Sequence, residues 1–247
     1  MIDGSLLPLV LGVLFAATLI RAAFGFGEAL VAVPLLAFLM PVETATPLAV
    51  LVSITVAAAI LLQDWRHVHV RSAWRLLVST LAGIPLGLWL LVAADERIVK
   101  TILAAVIIAF SAYCLLSRTP MILPHDRLAW LFGFAAGILG GAYGMNGPPL
   151  VIYGTLRRWS AEEFRATLQG YFFPASLVGM AGYWYTGLWS AAVTQLFALS
   201  LPVTAAAIVL GRLLNRRIKH RSFLLYVHLA LIAIGVMLLS QTLRHWF

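Results

Sequence analysis

The chain has 247 residues, of which 62% are hydrophobic and 11% are charged, and its mean hydropathy is +0.98. Soluble domains carry about 25% charged residues, so this composition excludes a water-soluble globular protein and predicts that lipid surrounds most of the chain. The formal net charge is +8, but the basic residues lie in short loops between apolar runs, which indicates membrane orientation rather than nucleic-acid binding.

The first half of the chain, residues 1–122, predicts one interrupted hairpin followed by three membrane-spanning helices. The apolar stretch 5–40 is broken by the sequence Phe-Gly-Phe-Gly-Glu at 24–28. Glycine readily leaves the helical conformation, so this stretch predicts two shorter helices joined by a break. Uninterrupted apolar runs, each near the roughly 20 residues that a helix needs to cross a bilayer, follow at 46–63, 73–92 and 98–117.

The second half, residues 123–247, predicts the same order of elements. Its apolar stretch 128–156 is broken at 140–149, which holds four glycines and ends in a proline pair. Proline removes a helical hydrogen bond and disfavours the helical conformation of the residue before it, so an α-helix cannot run through this segment. Uninterrupted apolar runs follow at 166–185, 191–211 and 223–242.

The two halves also match each other in sequence. When the chain is shifted by 119 residues, Phe-Ala-Ala at 15–17 falls on the same three residues at 134–136. Ala-Phe-Gly at 23–25 falls on Ala-Tyr-Gly at 142–144, so the breaks coincide. This coincidence predicts that the chain is an internal repeat.

The distribution of basic residues predicts how the repeats lie in the membrane. If each interrupted stretch enters and leaves on one side, each half crosses three times, and the halves are inverted relative to each other. A parallel arrangement with eight crossings needs extra assumptions to place Arg157, Arg158 and Arg165 on the same side as Arg66. In the inverted arrangement one side receives 13 basic residues: Arg66, Arg71, Arg75, Arg118, Arg127, Arg157, Arg158, Arg165, Arg212, Arg216, Arg217, Lys219 and Arg221. The other side receives only Arg97, Lys100 and Arg244.

Basic residues favour the cytoplasmic side of a membrane. The sequence therefore predicts a multi-pass protein of a bacterial inner membrane with both termini outside. Its predicted fold class is an all-α integral membrane protein with two inverted repeats, each a broken re-entrant helical hairpin plus three transmembrane helices. The sequence makes no prediction of oligomeric state.

The two breaks are the predicted substrate site. Broken helices at membrane depth point unpaired N–H groups and a partial positive charge at whatever lies between them, which suits an anion. Alternatively, the glycines serve only close helix packing. The candidate substrate-binding residues in the breaks are Gly25, Phe26, Gly27, Glu28, Gly144, Met145, Asn146 and Gly147.

Polar residues near the breaks are further candidates. A carboxyl at membrane depth is expensive when ionised, so Glu28 is either a proton carrier or a favourable charge at a helix N-terminus. Arg21 lies two helical turns earlier. It is either the counter-charge of the substrate, a partner of Glu28, or a side chain that extends to the membrane surface. Thr46 and Gln169, near the starts of the helices that follow the breaks, add possible neutral hydrogen bonds to the substrate.

The sequence predicts neither an enzyme nor a metal or cofactor site. It holds no nucleophile–base pair and no phosphate-binding loop. His67 and His69 have no further ligands at convincing spacing, and the lone Cys114 is a small core residue rather than part of a thiolate site.

The breaks resemble the paired glycine-rich signatures of the TauE/SafE sulfite-exporter family of membrane permeases. The resemblance rests on Gly-Phe-Gly-Glu at 25–28 with Val-Pro-Leu at 33–35, on Gly-Met-Asn-Gly-Pro-Pro at 144–149, and on Phe-Arg-Ala-Thr at 164–167. The chain departs from the family's usual glycine at Glu28 and Asn146. The resemblance implies export or uptake of sulfite, a sulfonate or a related oxyanion by secondary transport, and we expect export.

Two other functions stay open at this stage. A cation or metal transporter would be centred on Glu28 and Asn146, because carboxylate and amide oxygens bind cations. A membrane assembly factor or intramembrane enzyme would transport nothing.

Overall fold

The computed structural model describes residues 6–64, 70–116, 123, 125–215 and 220–244. All regular secondary structure in these ranges is helical. The first half forms α1 (Leu7–Phe24), α2 (Glu28–Leu36), α3 (Val42–Asp64), α4 (Val70–Ala93) and α5 (Glu96–Leu116). After a short 3-10 helix (Asp126–Leu128), the second half forms α6 (Ala129–Tyr143), α7 (Gly147–Leu156), α8 (Ala161–Tyr185), α9 (Ala191–Asn215) and α10 (His220–Arg244).

Some predicted features fall beyond the part of the chain that the structure describes. These are His67 and His69 and five of the basic residues that predict orientation: Arg66, Arg118, Arg216, Arg217 and Lys219.

Within the described ranges, five helices are long and apolar enough to cross a membrane: the whole of α1 and α5 and the greater part of α3, α4 and α9. Their outward faces stay apolar; Trp89 of α4, for example, is 64% exposed. Helix α3 is the most enclosed of the five: 67% of the residues in its apolar segment are buried, compared with 28% for α9. The bundle is therefore organised around α3, with an apolar exterior.

The helices extend further than the apolar runs that predict them. α8 begins at Ala161 rather than at 166, because Ser160 and Glu163 form a reciprocal capping box. In this motif the Ser160 hydroxyl accepts the Glu163 N–H at 3.2 Å, and the Glu163 carboxylate accepts the Ser160 N–H at 3.0 Å. Polar residues thus contribute a first turn that hydropathy alone does not detect.

The structure confirms both predicted breaks. α1 ends because Gly25 adopts a φ of +86° and its N–H turns back to the Arg21 carbonyl at 2.6 Å; Gly27, with a φ of +99°, precedes α2. α6 ends in the same way at Gly144, with a φ of +63°. These left-handed conformations favour glycine, so the glycines at these positions determine where both breaks occur.

Helices of one half pack against helices of the other half. α1 packs against α9, and α6 packs against α4, so each hairpin lies on the fourth helix of the other half. α3 packs against α8, and α5 packs against α10. The two broken stretches therefore meet near the centre, between α3 and α8.

Two glycines allow these hairpin crossings. A Cβ placed on Gly211 of α9 would lie 2.9 Å from the Leu19 carbonyl oxygen and 3.2 Å from the Ala23 nitrogen. A Cβ on Gly87 of α4 would meet the Ile138 carbonyl oxygen and would lie 2.8 Å from the Ala142 nitrogen. Residues 138 and 142 follow 19 and 23 by 119, the shift that aligns the two halves in sequence, so both crossings contact corresponding backbone atoms.

We expect Gly87→Ala to destabilise the protein by about 1–3 kcal/mol, the usual cost of forcing an extra carbon against packed backbone. Gly179→Ala in α8 is the matched control, because a Cβ there meets no atom within 4 Å and alanine favours the helix. Thermal unfolding in detergent should show a lower melting temperature for Gly87→Ala only. Equal melting temperatures for the two variants would contradict the tight crossing.

Candidate functional site

A small cavity lies between the two breaks. It is lined by the first break and the start of α2, by the second break and the start of α7, and by Arg21, Ser53 and Phe172. Its volume of about 20 Å³ suffices for roughly one water-sized molecule. Residues 26–29 and 145–148 both line it, and they differ by 119, as do Ser53 and Phe172. The cavity therefore lies where equivalent segments of the two halves face each other.

A buried ion pair forms one wall of this cavity. The Arg21 Nη1 atom lies 2.5 Å from the Glu28 Oε2 atom, and the two residues are only 3% and 2% exposed. The Thr18 hydroxyl donates to the other carboxylate oxygen of Glu28 at 3.2 Å. Because an isolated buried charge is costly, Arg21 and Glu28 each stabilise the charged form of the other. Arg21 is thus a partner of Glu28 and does not reach the membrane surface.

Arg21 has further partners from α3 and α8. Its guanidinium donates to the Ser53 hydroxyl at 2.5 Å and to the Gln169 side-chain oxygen at 2.9 Å. The Phe172 ring centre lies 5.0 Å from Arg21 Cζ, a cation–π contact. The Arg21 Nε atom is buried and has no hydrogen-bond partner among the described residues. The cation is therefore held in place while one of its donors is unused.

Gln169 and Thr46 take positions outside the cavity wall. Gln169 accepts from Arg21 and donates its amide N–H to the Gly25 carbonyl at 2.6 Å, so it joins α8 to the first break. Thr46 is fully buried beside Gly144, and its hydroxyl has no partner within the described part of the chain. Neither residue lines the cavity, and neither does Gly25, whereas the other eight predicted residues do.

The second break is held mainly by tyrosines of α8. The Tyr183 hydroxyl lies 2.8 Å from the carbonyl oxygens of both Gly140 and Gly141, at the end of α6. The Asn146 amide nitrogen donates to the Tyr171 hydroxyl at 3.5 Å. No sequence motif marks these tyrosines, because they act through packing between helices.

The two walls of the cavity differ chemically. In the first half the relevant side chains are those of Thr18, Arg21, Glu28 and Ser53. Shifting by 119 residues replaces these by Gly137, Gly140, Gly147 and Phe172. Pro148 and Pro149 also leave the first turn of α7 with fewer N–H donors than that of α2. The charged groups therefore lie on one side of the cavity, and the other side carries small and apolar groups with Asn146 as its polar side chain.

The described ranges contain no group of three or more His, Cys, Asp or Glu side chains that could hold a metal ion. The groups at this cavity that can bind an anion are the Arg21 guanidinium, the Ser53 hydroxyl, the Asn146 amide and the first turns of α2 and α7. The arrangement offers hydrogen-bond donors and one cation to a small guest.

Known proteins resemble this chain over nearly its whole length. The family model described as "Sulfite exporter TauE/SafE" matches residues 9–238. A protein of Cupriavidus necator described as "Probable sulfite/organosulfonate exporter TauE" is 28% identical, and the alignment covers 98% of this chain and 97% of that protein. No solved structure shows significant similarity to the chain.

Proposed function

This chain belongs to the TauE/SafE sulfite exporter family, a family of membrane transporters rather than enzymes, and we propose that it exports a small sulfur-containing anion. The proposed substrates are sulfite, a sulfonate or a related organosulfur oxyanion. The name of the Cupriavidus necator relative supports this choice, and so does the set of donors around the cavity.

The single observation that carries the proposal is the buried Arg21 at the cavity wall. Its guanidinium lies beside the first turn of α2, whose N–H groups and dipole also favour negative charge. Its Nε donor is buried and has no partner among the described residues, and we propose that it meets a substrate oxygen once the cavity opens. A planar fork of donors suits an oxyanion, because it binds two oxygens at once.

We propose alternating access by two units that move about this site. The crossings at Gly211 and Gly87 support a unit of α1, α2 and α9 and a unit of α4, α6 and α7, because α1 packs closely on α9 and α6 packs closely on α4. Movement between the units opens the cavity to one side and then the other, as in other transporters with inverted repeats.

We propose an inverted repeat in an inner membrane with both termini outside, because this arrangement places 13 basic residues on one side and three on the other. In that orientation Arg97 faces outward and Arg157 faces the cytoplasm. Single cysteines at these two positions, in a Cys114→Ala background, should react with impermeant reagents from opposite sides. Labelling from the same side would reject the orientation.

We also propose that Glu28 carries a proton with each anion. The Glu28 carboxylate occupies the Arg21 Nη1 donor and neutralises the positive charge that would attract an anion. Protonation of Glu28 removes this competitor, releases Arg21 and keeps the total charge of the site unchanged when a monoanion binds. The proton and the anion then move together.

Counterflow in liposomes tests the transport proposal. Liposomes loaded with unlabelled sulfite or sulfonate should take up the labelled compound from outside, and carboxylates of similar size should exchange more slowly. An absence of flux for every sulfur oxyanion would refute the proposal and favour an assembly factor. Flux of a divalent cation, lost in Glu28→Gln, would refute it in favour of a cation transporter.

A further inference from the structure

We propose that Tyr171 is a positioning residue that locks the Asn146 side chain in one orientation and thereby sets which anions the site accepts. This inference rests on the proposed function, because Asn146 lines the same cavity. It concerns selectivity among anions, which neither Arg21 nor the helix N-termini determine, since both attract any negative charge.

The lock is a chain of hydrogen bonds with a fixed direction. Thr80 Oγ1 lies 2.8 Å from the carbonyl oxygens of both Leu76, in its own helix, and Gly133, in α6. A hydroxyl has one hydrogen, and carbonyl oxygens can only accept, so Thr80 donates to a carbonyl. The hydrogen bond between Thr80 and Tyr171 must then use the Tyr171 hydrogen.

This direction determines how the Asn146 amide lies. The Tyr171 hydroxyl has given its hydrogen to Thr80, so toward Asn146 it can only accept. The Asn146 NH2 group, at 3.5 Å, therefore faces Tyr171. A flipped amide would set its oxygen against another oxygen with no hydrogen between them. Thr80, Tyr171 and Asn146 are all buried, so bulk water does not compete for the hydrogen bonds between them.

The locked amide keeps Oδ1 as an acceptor that Tyr171 cannot satisfy. The other polar groups of the cavity wall are either donors, in Arg21 and Ser53, or the Glu28 carboxyl. An anion that carries a hydroxyl group can give its hydrogen to Oδ1, whereas an anion with acceptors only places lone pairs against it. A site with a placed polar partner discriminates strongly against analogues that lack the matching group. We therefore infer a preference for hydroxyl-bearing anions.

The test compares two sulfonates that differ by one hydroxyl, ethanesulfonate and 2-hydroxyethanesulfonate. In competition counterflow, the wild type should favour the hydroxylated compound by about fivefold, the worth of one hydrogen bond. Tyr171→Phe removes the lock, so the ratio should fall toward one. Thr80→Val should have the same effect without touching Asn146, because the Tyr171 hydrogen then turns to the amide oxygen. Thr80→Ser keeps the hydroxyl and should keep the ratio.

Two controls separate selectivity from folding. Tyr143→Phe removes another buried tyrosine hydroxyl, bonded to the Val99 carbonyl at 2.8 Å and absent from the cavity wall, and should leave the ratio unchanged. Adding Tyr171→Phe to Asn146→Ala should change nothing further, since the two residues act as one unit. An unchanged ratio in Tyr171→Phe and Thr80→Val, with both sulfonates still transported, would overturn the lock. Wild-type transport of sulfite but of neither sulfonate would overturn the inferred preference and leave the proposed function standing, whereas absence of flux for every sulfur oxyanion would overturn the proposed function.

Discussion

Arg21→Ala, reconstituted in liposomes, should reduce counterflow of sulfur oxyanions by about a hundredfold. The variant loses the guanidinium donors at the cavity wall, and two charge-assisted hydrogen bonds to a substrate are together worth about 3 kcal/mol. Arg21→Lys should recover only part of the rate, because an ammonium group keeps the charge but lacks the planar fork. The measurement is the initial rate of labelled sulfite uptake at equal protein density.

Loss of Arg21 also leaves Glu28 without its partner, so folding has to be controlled separately. Arg21→Ala with Glu28→Gln removes both charges of the pair and should melt closer to the wild type than Arg21→Ala alone, because a stranded buried charge is strongly destabilising. The double variant should still fail to transport. Arg97→Ala, at an exposed arginine near the start of α5, should transport normally. If the Arg21→Ala protein folds and transports at the wild-type rate, Arg21 does not bind the substrate.

Glu28→Gln should separate anion movement from proton movement. If one proton accompanies each monoanion, a difference of one pH unit across the wild-type liposome should support about a tenfold anion gradient, with accumulation on the alkaline side. Glutamine cannot take up a proton, so the variant should show no accumulation under the same pH difference. The reading is the labelled anion inside the liposomes at steady state.

The membrane potential provides an independent reading of the same event. A monoanion moving with a proton carries no net charge, so a potassium diffusion potential should leave wild-type flux unchanged. In Glu28→Gln the anion moves alone, and an inside-negative potential should drive it outward. Equal responses of the two proteins to pH and to potential would exclude Glu28 as the proton carrier while leaving anion transport intact.

The main features of the backbone could be predicted from the sequence because they depend on local chemistry. Gly25, Gly27 and Gly144 adopt left-handed conformations. Glycines inside apolar stretches indicate such positions in the sequence. The helix starts could not be placed as well, because they depend on capping pairs such as Ser160 with Glu163. Hydropathy is insensitive to a polar first turn.

The pairing of Arg21 with Glu28 was predictable, but its geometry was not. The spacing of seven residues suggests two turns along one face of a continuous helix. In the structure the break intervenes, and the contact joins the last turn of α1 to the first turn of α2. Local spacing thus identified the partners for a reason that does not hold across the break.

The remainder of the site depends on contacts between distant parts of the chain. Ser53, Gln169 and Phe172 reach Arg21 from α3 and α8, and no local pattern distinguishes them from other buried residues. Ser53 and Phe172 are equivalent under the shift of 119 residues, but so is almost any other pair at this spacing, so the shift alone does not identify them.

The packing of each hairpin on the opposite half has a consequence for how such a chain arises. Gly87 and Gly211 each complete a crossing with the other half, so a single half would leave its hairpin uncovered and would need a second copy to fold. Two identical copies would duplicate the charged cluster around a space that has room for about one water molecule. Fusion of the copies into one polypeptide allows the two halves to diverge, so that one side of the cavity loses its charged residues. The cavity then has one arginine for one substrate molecule.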